Sequence, residues 1–165
     1  MAAHRCRGLR RTLRLSVCFV LVVGLQPRPA AADRDLYAEA VNALRLEHGK
    51  PSLQPLPDPL ETENVLYQAL LARQILLGGT CDHDASRWSA FQTTIARQGL
   101  QPLGEVIACP GWAGTWQPGA LAKQWFESDV DRRVLLERAA ATHISCNRFL
   151  EGTLEVVLCT TWRRP

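Results

Sequence analysis

Chemistry in this chain would have to start from its histidines, cysteines and acids. Four histidines are present, at positions 4, 48, 83 and 143. His48 lies in Glu47-His48-Gly49, where a helical pattern ends. A cation is favourable there, because the last carbonyls of a helix carry partial negative charge. His143 precedes an apolar, β-branched stretch and is expected to be exposed. His83, in Cys81-Asp82-His83-Asp84, suits two roles. It can act as a ligand or acid–base group, or as a structural residue at a helix start satisfied by local hydrogen bonds. No Gly-x-Ser-x-Gly elbow presents a nucleophile. The chain also lacks a P-loop, a glycine-rich dinucleotide fingerprint and a paired-histidine helix motif.

Two of the six cysteines, Cys6 and Cys18, fall in the leading segment. Cys81, Cys109, Cys146 and Cys159 follow it. No CxxC pair occurs among these four, which argues against a four-thiolate zinc site. An even number in an exported chain argues for two disulfides, with three connectivities open.

Export is written in residues 1–32. Arg5, Arg7, Arg10, Arg11 and Arg14 form a positive region without an acid, Leu13 to Leu25 is apolar, and Ala30-Ala31-Ala32 supplies small residues before Asp33. This is the pattern of a cleavable signal peptide, and it leaves residues 33–165 as one domain. The alternative is an uncleaved anchor, but the apolar run falls short of the roughly 20 residues a bilayer span needs. Val17 is bulkier than a lipoprotein cleavage site prefers, so Cys18 is not read as lipid-modified. The whole chain is +3; cleavage removes six arginines and no acid, leaving 13 basic and 16 acidic residues, a net of −3. The basicity therefore belongs to the targeting segment and supports no nucleic-acid surface. The expected location is outside the cytoplasm, extracellular or periplasmic, with no membrane span after cleavage.

Hydrophobic spacing places the elements. Leu36, Ala40, Val41 and Leu44 mark a first helix from about Asp33 or Asp35 to Gly49. Lys50 to Pro57 is turn-rich. Asp58-Pro59-Leu60-Glu61 opens a second helix with Asp58 as cap, and its apolar residues on most sides suit the centre of a domain. A third helix follows Asp84, with Trp88, Phe91 and Ile95 on a core-facing stripe. Leu103 to Cys109 reads as a strand. Pro110 to Gly119 is a loop in which Trp112 and Trp116 either line a groove or pack over the sheet edge. Ala120 to Glu127 and Val130 to Arg138 are helical. Thr142–Leu150 and Thr153–Thr161, separated by Glu151-Gly152, read as an antiparallel hairpin, with Trp162-Arg163-Arg164 as a solvated tail. The fold class is α+β, and parallel βαβ alternation is absent.

Six segments in order resemble the CAP superfamily of cysteine-rich secretory proteins, antigen 5 and pathogenesis-related proteins, in its small bacterial form. They are Val41-Asn42-Ala43-Leu44-Arg45 with Gly49 and Leu53; Asp58-Pro59-Leu60 with Ala69 and Ala72; Cys81-Asp82-His83-Asp84; Gly104-Glu105-Val106-Ile107-Ala108; Trp125 to Arg132; and Ile144-Ser145-Cys146 with the strand through Cys159. Three positions depart from the family pattern: Val106 replaces an asparagine, Asp131 the second cavity histidine, and Ser145 a glycine.

The resemblance implies a three-layer α-β-α sandwich. It also implies the disulfide Cys146–Cys159, which leaves Cys81–Cys109. Carried over, the cleft residues are His83, Glu105, Ser128 and Asp131, and the possible metal ligands are His83, Glu105 and Asp131, with zinc the metal such donors suit. Each has a plainer role: Glu105 as a buried carboxylate fixing its strand, Ser128 and Asp131 as helix caps. The function the resemblance implies is non-catalytic binding of a small apolar ligand, a lipid or a cell-envelope component. The alternative is a metal-dependent hydrolase using His83 and Glu105.

Overall fold

A computed structural model describes residues 34–95 and 98–164, so the expected signal peptide and its expected cleavage point lie outside the described residues. Five α-helices and four strands are present among them: α1 Arg34–Glu47, β1 Gln54–Pro55, α2 Asp58–Leu76, α3 Ala85–Ile95, β2 Gln101–Trp112, α4 Pro118–Glu127, α5 Asp129–Arg132, β3 His143–Glu151 and β4 Leu154–Arg163. A π-helical stretch, Arg133–Glu137, continues α5. No helix of the described residues is long and apolar enough to cross a membrane.

The strands form one mixed sheet in the order β1-β3-β4-β2. β3 and β4 run antiparallel with Cys146 opposite Cys159, and Gly152 at φ 58° makes the turn between them. That left-handed conformation costs glycine little. β2 pairs antiparallel with β4, and β1 pairs parallel with β3.

Side chains alternate across a strand, and the core divides accordingly. Val106, Ala108, Ile144, Cys146, Val157 and Cys159 face α1, α4 and the π-helical stretch. Phe149, Val156, Leu158 and Trp162 face α2 and α3. α1 uses the row Tyr37, Val41, Arg45, all buried, while Leu36 stays exposed. The Arg45 guanidinium donates to the carbonyls of Pro51 and Leu135, so its buried charge meets aligned oxygens. Burial nonetheless lowers its pKa. Asn42 exchanges two hydrogen bonds with the backbone of Leu53, at 2.9 and 2.8 Å. This tertiary clamp lays the proline-rich segment beside β3 as β1, a strand with no local signature.

Several expectations are corrected. α2 is not an apolar central helix. Leu66 and Leu70 point outward while Asn64 and Gln68 are fully buried, because the facing strands present polar side chains that need partners. Pro57, not Asp58, occupies its N-cap, and no side chain caps it. β2 is longer than expected and carries Trp112 at its end, 70% exposed. His143 is buried and pairs in register with Trp162. Trp162 is itself fully buried and donates from Nε1 to Thr160 at 3.0 Å. β4 runs on because β2 still pairs with it at Arg163, so these residues are not a tail.

Candidate functional site

His83 is fixed from both sides along the chain. Two residues before it, Cys81 is bonded to Cys109 on β2; the second disulfide joins Cys146 to Cys159. One residue after it, Asp84 caps α3, its carboxylate accepting from Arg87 N at 2.9 Å and Ser86 Oγ at 2.7 Å. The bond from Arg87 N, then that from Ser86, holds the Asp84 carboxyl below its usual range. Asp82 accepts from His83 N at 2.7 Å. Held this way, the His83 ring lies along β2 with Nδ1 2.9 Å from Glu105 Oε1, although the two residues are 22 positions apart.

Glu105 is turned toward α2 by its place on β2, opposite Thr160. Gly104 before it lets the π-helical stretch close in: a Cβ at 104 would lie 3.0 Å from Val134. The pair is asymmetric, with the imidazole side chain 45% exposed and the carboxylate 3%. The hydrogen bond to Glu105 is the main cause that raises the His83 pKa. Partial burial opposes it, and the charges of Glu105, Asp82 and Asp131 add to it. An ionised Glu105 favours the tautomer with the proton on Nδ1, leaving Nε2 to face outward partners.

Glu105 Oε2 and the Tyr67 hydroxyl are both buried, and neither meets strict hydrogen-bond geometry with any group among the described residues. They stand close enough that burial first, and then the charge and hydrogen bonding of Glu105, drive the phenol far above its ordinary pKa. Tyr67 also stacks on Phe91 at 4.4 Å between ring centroids. Behind this group lies a buried polar layer between α2 and the sheet. Asn64 donates to Ser145 Oγ at 2.8 Å and accepts from Thr160 at 3.0 Å, and Asn147 donates to Gln68 at 2.8 Å. The sequence reading missed Tyr67 and this layer. The available signal was two amides, 64 and 68, one helical turn apart and flanking Tyr67.

Of the expected cleft residues, His83 and Glu105 are in contact, and Asp131 stands within electrostatic reach of His83. Ser128 caps α5, accepting from Asp131 N at 3.4 Å. Among the described residues, no three His, Cys, Asp or Glu side chains gather closely enough to share a metal. His83, Glu105 and Asp131 form no such group here.

A second carboxylate, Glu155 on β4, has a different setting. It is fully buried and accepts from Trp116 N at 2.8 Å and from Arg148 at 2.7 and 2.5 Å. Burial alone would raise its pKa, but backbone N–H groups of Gly114 and Trp116, together with Arg148, outweigh it and lower the value. Tyr37 donates to Trp116 O at 2.7 Å, and the Trp116 indole donates to Cys109 O at 3.0 Å. The tryptophan loop is thus packed down at Trp116, while Trp112 stays in solvent. Comparison with known protein families, with curated proteins and with solved structures finds no match to this chain.

Proposed function

We propose that residues 33–165 are an exported CAP-superfamily domain, a three-layer α-β-α sandwich with a C-terminal antiparallel hairpin. Its role is non-catalytic binding of a small apolar ligand, a lipid or a cell-envelope component, outside the cytoplasm. Six motif segments in family order, helices against both faces of the sheet and two disulfides support the family reading. The binding role rests on one observation. His83 is an exposed imidazole held on a buried carboxylate, and no serine, threonine or cysteine is hydrogen-bonded to its ring among the described residues. Covalent catalysis needs a nucleophile within reach of its base. We read the oriented imidazole as the group that holds a polar end of the ligand. Outward-facing Leu66 and Leu70 on α2, with Leu77 just after it, favour an apolar partner.

The test is to incubate the exported protein with a lipid extract, re-purify it and identify retained species by mass spectrometry. The wild type should retain a species that His83→Ala loses. Retention of nothing by the wild type, or equal retention by both, contradicts the proposal.

A further inference from the structure

A groove of about 570 Å³ lies away from His83, between α3, the start of β2 and the end of β4. Ser89 and Gln92 form one wall, Gln101, Pro102 and Leu103 the other, and Arg163 also lines it. Its size is that of a small-molecule site. The walls are tied together, since Gln92 Nε2 donates to Pro102 O at 3.3 Å. No acidic side chain lines it among the described residues.

Arg163 and Gln101 are direct cross-strand partners. Gln101 Oε1 accepts from Arg163 Nε at 3.2 Å and from Nη2 at 3.0 Å. A carboxylate at position 101 would neutralise the arginine, whereas an amide orients it and leaves the charge intact. A guanidinium has five N–H donors, and Gln101 engages two. Arg163 forms no ion pair among the described residues. A second guanidinium, Arg138, donates to the carbonyl of Leu103.

We propose that this groove binds a small monocarboxylate. The free edge of Arg163 takes the carboxylate through paired N–H bonds. The site is separate from the one assigned to His83.

The test is a backbone-amide NMR titration of the full exported chain with hexanoate, with hexanol and inorganic phosphate as comparators. Hexanoate should shift Gln92, Gln101, Leu103 and Arg163 saturably, and hexanol should not. Loss of a charge-assisted bond costs about tenfold or more in affinity. Arg163→Gln and Gln101→Glu should each show that loss. Gln101→Glu keeps the cross-strand contact and the melting temperature, so its effect reports charge and not folding. Four results would each overturn the proposal: no saturable shift, equal shifts from hexanol, tighter binding of phosphate, or wild-type affinity in Gln101→Glu.

Discussion

Glu105 and Glu155 are both buried carboxylates on the sheet, each beside a basic side chain, yet they are treated in opposite ways. Glu155 faces α1 and the tryptophan loop with both oxygens bonded, to a backbone N–H and to a guanidinium. Glu105 faces α2 with one oxygen on His83 and the other buried beside the Tyr67 hydroxyl, with no charged or backbone donor on it among the described residues. Saturation makes Glu155 part of the frame. Glu105 instead joins an exposed imidazole to a buried phenol.

The largest effect should come from breaking the frame. Removing one partner of a buried ion pair strands the other, at a cost of about 3–5 kcal/mol. Arg148→Ala and Glu155→Ala should each lose that much in urea unfolding, whereas Glu105→Gln should change stability by only about 1 kcal/mol. Equal losses at the two glutamates would erase the distinction. Next in size is the Cys81–Cys109 bond. Replacing both cysteines with alanine should cost about 2–4 kcal/mol and release the segment that holds His83 against β2. A variant that loses less than 1 kcal/mol would show that the segment is held by other contacts.

The smallest effects are those of pH, and they run in opposite directions. His83 has a folded pKa raised above 6.5. Its stabilising contribution is therefore complete below that value and is lost as pH rises through the folded pKa. Glu155 has a folded pKa lowered below 4.5. Its contribution is complete above that value and is lost as pH falls through the folded pKa. Melting temperatures across pH should show the alkaline loss vanish in His83→Ala and the acidic loss shrink in Glu155→Gln.

Much of this frame was legible because its signals are local. The aromatic stripe Trp88, Phe91, Ile95 does face the core with Phe91 and Ile95 buried, and the turn between the last two strands falls one residue later than expected, at Gly152-Thr153, with Glu151 paired to Leu154. The misreadings share a tertiary cause. β1 exists through the Asn42–Leu53 clamp. Asn64 and Gln68 turn inward because Ser145, Asn147 and Thr160 need partners. Trp162 looked like the start of a basic tail because Arg163 and Arg164 follow it, but its surroundings are set by the sheet and by Phe91, 5.7 Å away. The closeness of His83 and Glu105 had no local signal and came from the resemblance alone. Glu155 and Tyr67 carried no motif, and only packing reveals them.

The pairing of His83 with Glu105 can be measured by following the His83 ring resonances through a pH titration of the wild type and of Glu105→Gln. The wild-type midpoint should lie above 6.5, and the variant should fall toward or below that value once the carboxylate is gone. A wild-type midpoint at or below it, or one that Glu105→Gln leaves unchanged, would contradict the account.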